Sequence, residues 1–193
     1  MLGLFGRYAS GKTTVAKIFA ESGYEIIEVD HLGHQALIDK KREIINVFGK
    51  NILAADGSID RKQLGEIVFN SDKALSRLES IVHPAMCDRV RQLIAESNSK
   101  RILISAAILH KMKLDTLCDK VIQVTAPTEM LIEWGMKRDK LSREEMENRL
   151  KNQLAINIDE NNADHILENR GNPDELKSLG IKLITKLEQE FIQ

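Results

Sequence analysis

Gly6-Arg7-Tyr8-Ala9-Ser10-Gly11-Lys12-Thr13 fits the pattern G-x-x-x-x-G-K-[ST]. It follows the apolar run Leu2 to Phe5 and leads into the helical spacing of Thr14, Val15, Ile18 and Phe19. A chance match in a chain of 193 residues is on the order of one in a hundred, and the strand-before, helix-after context lowers that further. The spacing has a chemical reason. Successive backbone N–H groups of such a loop and the N-terminal end of the next helix converge on phosphate oxygens. Gly6 and Gly11 supply conformations or close approaches that a Cβ would hinder. Lys12 is expected to reach the β- and γ-phosphates, and the Thr13 hydroxyl to ligate Mg²⁺. The stretch from Gly6 to Thr14 is therefore the expected ATP site.

Outward from the loop, short apolar runs with β-branched character occur at Leu2 to Phe5, Tyr24 to Val29, Arg101 to Ala106, Val121 to Ala126 and His165 to Leu167. Helical stretches lie between them, with starts at Pro127-Thr128-Glu129, at the capping box Ser142-Arg143-Glu144-Glu145 and at Asn172-Pro173. Strands alternating with helices predict a parallel sheet covered on both faces. About seventy residues separate the second run from the third, far more than a crossover needs. Residues 31–98 read instead as a helical substrate-binding insertion, punctuated by Asp56-Gly57-Ser58 and His83-Pro84, with apolar spacing at Leu64, Ile67, Val68, Leu75, Leu78 and Val82. A second insertion, 137–153, is charged and helical and reads as a lid, or else as a solvated surface helix whose Glu144, Glu145 and Glu147 offset its bases. The nucleotide-binding core is expected over 1–30, 99–136 and 154–193, all within one domain.

Composition narrows the function. Hydrophobic residues make up 42% and charged residues 30% of the chain, near the globular average, so neither disorder nor a membrane class is indicated. With a net charge of -1, no global positive field recruits nucleic acid, and anions must be held by local groups. Cys87 and Cys118 are too few for a disulfide framework or a zinc site, which points to a reducing, cytoplasmic setting. The phosphate loop begins so early that no signal peptide is expected, and no apolar run approaches transmembrane length.

Asp30 follows the second strand, where the carboxyl ends of parallel strands carry their ligands. An acceptor hydroxyl that donates a hydrogen bond to it would be aligned and would pass it a proton, with Mg²⁺ coordination possible as well. The competing reading is a cap for the next helix.

At this point the chain resembles the dephospho-coenzyme A kinase family over nearly its whole length. The loop Ala9 to Thr13 is similar to the family's GSGKS-type segment, and Glu28-Val29-Asp30 to its D-x-D, with Asp30 at the catalytic aspartate. Asp56-Gly57-Ser58-Ile59-Asp60-Arg61 resembles the DG-x-hydrophobic-DR segment and His83-Pro84 the HP pair. Leu117-Cys118-Asp119, Arg138-Asp139, Leu141-Ser142-Arg143, Gln153 and the run from Ala163-Asp164 to Asn169 and Gly171 follow in order. The resemblance implies a P-loop NTPase of the adenylate-kinase-like α/β type: a five-stranded parallel sheet in the order 2-3-1-4-5, flanked by helices, with a helical acceptor region and a lid. It implies transfer of phosphate from MgATP to the ribose 3′-hydroxyl of dephospho-coenzyme A. Asp30 would take the proton. Lys12 and lid arginines, foremost Arg138 and then Arg143 and Arg149, would neutralise charge on the transferring group. Asn169 would contact adenine, and Arg61 and His83 the acceptor.

Some residues depart from the family pattern. Arg7 and Ala9 stand where glycine is usual, Ser105 where an acid is usual, Lys111 where a glutamate is usual, and Trp134 near a usual lid arginine. Two other readings remain open at this stage: a P-loop kinase for a different metabolite or nucleotide, and a nucleotide-binding regulatory protein that has lost catalysis.

Overall fold

The five predicted strands are all present and form one parallel sheet in the order β2-β3-β1-β4-β5. The structure is a computed structural model that describes residues 1–155 and 162–190. Its elements are β1 (Leu2–Gly6), α1 (Lys12–Glu21), β2 (Glu25–Glu28), α2 (Val29–Asp39), α3 (Lys41–Phe48), α4 (Arg61–Phe69), α5 (Asp72–Glu96), β3 (Ile102–Ser105), β4 (Lys120–Thr125), α6 (Thr128–Asp139), α7 (Arg143–Ala155), β5 (His165–Glu168) and α8 (Pro173–Glu190). They divide into two compact units, Met1–Glu28 with Asn98–Gln193, and Val29–Ser97. The expected core segment 154–193 runs through 156–161 and 191–193, which lie outside the described residues.

In the first unit, β1 and β3 are buried along their whole length, as central strands covered on both faces must be. The edge strands alternate instead: β2 buries Ile27 and exposes Glu25, and β5 buries Leu167 and exposes Ile166. α1 and α8 pack together over the sheet, enclosing Leu4, Val15, Phe19, Leu103, Ile122, Leu176 and Leu187. A Cβ on Gly180 of α8 would lie 3.1 Å from Ile18 Cγ2 of α1, so the absent side chain sets how closely the two helices approach. Asn172 caps α8 by accepting from the N–H groups of Asp174 and Glu175, with Pro173 at the first helical position as its sequence signal predicted.

The helices α6 and α7, which span the second expected insertion 137–153, form a pair with a small core of its own. Leu131, Ile132, Met146 and Leu150 are buried together, and Tyr8 of the phosphate loop packs against them. The capping box forms as predicted: Ser142 N–H donates to Glu145 Oε2 at 2.7 Å, and Glu145 N–H donates to Ser142 Oγ at 3.2 Å.

The second unit is all helical apart from a 3-10 turn at Lys50–Ile52 and one bridge between Leu53 and Ile59. α2 and α4 pack on the long α5, burying Ala36, Leu64, Val68, Val82, Met86 and Val90. Asp60 caps α4 through the N–H groups of Lys62 and Gln63, and Ser71 caps α5 through Ala74 N–H. The turn Asp56-Gly57-Ser58 is real, with Gly57 at φ 79° and Ser58 donating from N–H and Oγ to Asp56 Oδ1. Those hydrogen bonds hold the Asp56 carboxyl below its ordinary range. His83-Pro84, by contrast, does not punctuate the chain. α5 runs for 25 residues straight through Pro84. The proline deprives the Ser80 carbonyl of its i+4 donor, yet apolar packing on either side keeps both halves helical.

Candidate active site

β1 ends at Gly6 and α1 begins at Lys12, so the intervening turn must bring the backbone close to β4. A Cβ on Gly6 would lie 2.6 Å from the Val124 carbonyl oxygen, which explains the glycine by close approach. Gly11 is required for a different reason: its φ is 95°, and a Cβ there would meet Asn169 Nδ2 at 2.5 Å. Ala9 stands where glycine is usual and still adopts the left-handed region, at φ 64°. Its Cβ does not exclude that conformation but adds strain on the order of 1–2 kcal/mol.

The loop is braced from behind. Asn169, just past β5 and only 7% exposed, donates through Nδ2 to the Ser10 carbonyl at 2.9 Å and accepts at Oδ1 from Gly171 N–H at 3.0 Å. The sequence reading gave Asn169 to adenine; its carboxamide here acts as a strut of the phosphate loop. Within the loop, Ser10 N–H donates to the Arg7 carbonyl at 3.0 Å. Thr13 and Thr14 are exposed on the first turn of α1. N–H groups of that turn have no intrahelical acceptor and carry the positive end of the helix dipole.

Lys12 Nζ donates to Ser105 Oγ at 3.1 Å and lies 3.8 Å from Glu28 Oε2. Ser105 is fully buried at the end of β3. The departure at Ser105 thus has a structural counterpart: a hydroxyl accepts from the lysine, while the carboxylate comes from the neighbouring strand. Glu28 had no role in the sequence reading, although its place as first member of the D-x-D-like triplet was a signal.

Two arginines of the α6–α7 pair gather on the loop, and one does not. The Cζ atoms of Arg138 and Arg149 each lie 4.6 Å from the centroid of the Tyr8 ring. Arg149 also donates to the Tyr8 hydroxyl, and Tyr8 N–H donates to Gln153 Oε1 at 2.7 Å. Arg143 is instead paired with Glu129 and Glu147 on the outer surface of the α6–α7 pair. Trp134 packs its ring against Gly171, 3.1 Å from where a Cβ would stand. Lys111 is exposed on the turn after β3.

In the helical unit, Asp30 sits in the first turn of α2, exposed, because β2 stops at Glu28 and Val29 already begins the helix. Arg61 opens α4 and lines a cavity of about 450 Å³ together with His34, Leu37, Ile38, Lys41, Ser58 and Ile59. Two cations over an apolar floor suit an anion carrying an apolar arm. Lys41 was missed in the sequence reading, and the basic run Lys40-Lys41-Arg42 was its signal. His83 is half-buried within α5 and does not line this cavity.

Among the described residues there is no cluster of three or more His, Cys, Asp or Glu arranged to hold a metal. The Thr13 hydroxyl and the Glu28 carboxylate beside Lys12 are hard oxygen donors. That set fits Mg²⁺ carried chiefly by nucleotide phosphates. No helix among the described residues is long and apolar enough to cross a membrane.

The model of the dephospho-CoA kinase family matches residues 1–175. A dephospho-CoA kinase of Fusobacterium nucleatum is 35% identical over 179 residues, covering 91% of this chain and 92% of its own. One of Borreliella burgdorferi is 40% identical over 132 residues, covering 68% of this chain and 64% of its own, so that match spans less than two thirds of the relative. In three dimensions, dephospho-CoA kinase from Campylobacter jejuni aligns with a TM-score of 0.72 at 28% identity, covering 98% of this chain and 97% of its own.

Proposed function

The chain belongs to the dephospho-CoA kinase family, and from that premise we propose that it phosphorylates the ribose 3′-hydroxyl of dephospho-CoA with ATP, giving coenzyme A and ADP. The observation that carries the reading is the phosphate loop itself, with Lys12 gripped by Ser105 and Glu28 and two lid arginines gathered on Tyr8. In this reaction the 3′-oxygen attacks the γ-phosphorus. The bond to the β–γ bridging oxygen breaks, and ADP carries away that electron pair. Asp30 aligns the attacking hydroxyl and takes its proton. Lys12, Arg138 and Arg149 meet the charge that develops on the transferring group and the leaving oxygen. Loop N–H groups from Gly6 to Thr14 cradle the remaining phosphates. Mg²⁺, held by Thr13 and Asp30 together with the phosphates, would neutralise charge on the triphosphate.

Acceptor recognition is assigned to the cavity around Arg61. Lys41 and Arg61 suit a diphosphate, while Leu37, Ile38 and Ile59 suit an apolar arm. A compact acceptor such as a nucleoside monophosphate has no use for such a floor. His83 is kept as an acceptor-side candidate on the family pattern alone. A catalytically silent reading rests on Ser105 and Lys111, and its first ground weakens because Glu28 supplies a carboxylate beside Lys12. We assign the reaction to the cytoplasm, in keeping with the free thiols of Cys87 and Cys118.

The test is ADP release by purified protein with dephospho-CoA, with adenosine monophosphate and with no acceptor, the product mass being read by spectrometry. Stimulation by dephospho-CoA alone, with gain of one phosphate, is the expected result. Equal stimulation by adenosine monophosphate would overturn the acceptor, and no response to any acceptor would overturn the activity.

A further inference from the structure

The x positions of a phosphate loop need only small, compliant residues, because the loop works through its backbone. Tyr8 is neither small nor idle. Its ring takes the guanidinium of Arg138 from α6 and that of Arg149 from α7, both at 4.6 Å. Its hydroxyl accepts from Arg149, its N–H donates to Gln153 of α7, and its ring is packed on the core of the lid pair. One loop residue thus ties both lid helices to the phosphate site.

Two guanidiniums sharing one ring repel each other, so something must offset their charge. Asp139 does part of this: its carboxylate accepts from Arg138 Nε and Nη2 at 3.1 Å and lies 4.0 Å from Arg149 Nη1. That carboxylate has the same sign as a triphosphate, so an arriving nucleotide competes with it for the same arginines. The ring does not compete. It attracts cations through its quadrupole while carrying no net charge, and can keep hold of both arginines when the anion takes the place of Asp139. Both side chains are about half exposed, so burial alone does not fix them.

We propose that Tyr8 is a positioning residue of the phosphoryl-transfer reaction, holding Arg138 and Arg149 at the phosphate loop so that they meet the transferring group without first being ordered. This role rests on the kinase reading above. It does not depend on which acceptor is used.

The test is a mutant cycle read as kcat and KM for ATP. Tyr8→Leu is expected to lower kcat about tenfold while the thermal midpoint and KM for ATP change little, because the lost order is felt in the transition state. Tyr8→Phe keeps the ring and is expected to retain most of the rate. With Arg138 and Arg149 both replaced by alanine, Tyr8→Leu is expected to cost less than about twofold more, since the groups it positions are gone. A full tenfold loss in that background, a kcat within about twofold of wild type for Tyr8→Leu alone, or a Phe variant as slow as the Leu variant would each overturn the proposal. The same cycle run on ATP hydrolysis without acceptor separates the two claims. A protein that hydrolyses ATP but ignores dephospho-CoA would sink the acceptor assignment and leave the role of Tyr8 to be decided by the hydrolysis cycle.

Discussion

Glu28 and Ser105 are register partners on the adjacent strands β2 and β3, and Lys12 Nζ reaches both of them. The pair shows how a neutral residue at the end of β3 leaves the phosphate-loop lysine with a counter-charge. A carboxylate 3.8 Å from the ammonium, with both side chains partly buried, is a loose restraint that phosphate can replace. Glu28→Gln is therefore expected to lower kcat about tenfold without weakening ATP binding, since it removes a competitor for Lys12 as well as its guide. Steady-state kinetics with a parallel ATP titration checks this, and loss of ATP affinity would contradict it.

Lys12→Ala is expected to abolish turnover while the fold survives, because the ammonium meets polar partners, Ser105 and Glu28, rather than the apolar core. Asp30→Asn is expected to lower kcat by about 10² to 10⁴ while ATP affinity changes little, the usual range for loss of a positioned base. An asparagine variant with ordinary kcat would remove Asp30 from the mechanism.

Strain at Ala9 gives a stability test. Glycine at a left-handed position relieves the clash, but it also loosens the unfolded chain, so the two effects partly cancel. Ala9→Gly is expected to raise unfolding stability by up to about 1 kcal/mol, measured by urea titration. A destabilised variant would show that the methyl group packs usefully.

Part of the acid sensitivity should lie at Asp164. Burial pushes its carboxyl up, yet the Val121 N–H, Lys120 and His165 outweigh burial and hold it below the ordinary value of 3.8. Because the folded form titrates lower than the unfolded one, its contribution is complete above that value and fades as pH falls through the depressed one. Asp164→Ala is expected to cost about 1 kcal/mol at neutral pH, and the gap to wild type should close in strong acid. The solvent-exposed part of this pair keeps the effect modest.

Cys118 lies against Gly3 and donates to the Leu114 carbonyl, and burial pushes its thiol up to about 12. Its thiolate fraction at pH 8 is then on the order of 10⁻⁴. Native protein is expected to leave Cys118 unmodified by iodoacetamide and to label there only after denaturation, read by peptide mass.

The parts of this molecule that sequence made legible are those set by near neighbours. Gly6 to Thr13 announces strand, turn and helix within a dozen residues; Ser142 and Glu145 satisfy each other three residues apart; Asn172 caps the turn that follows it. What stayed hidden depends on contacts made across the chain. Glu28 meets Lys12 and Ser105 only because the sheet order sets β2 beside β3, with the whole helical unit between them in sequence. Tyr8 reads as one more residue of the expected ATP loop until α6 and α7 bring their arginines to it. Lys41 and Arg61 line one cavity from separate helices. At Pro84 a local rule was overridden, because packing of α2 and α4 along α5 outweighs one missing hydrogen bond.

Asn169 grips the Ser10 carbonyl across 159 residues of sequence, and β1 lies between β3 and β4 in the sheet. During synthesis from the N-terminus, the G-x-x-x-x-G-K-T string leaves the ribosome 159 residues ahead of its brace. A nascent chain therefore displays the complete signature long before the turn behind it is rigid. The braced form of the phosphate loop therefore waits for residues 165–171 to be made and to pair beside β4.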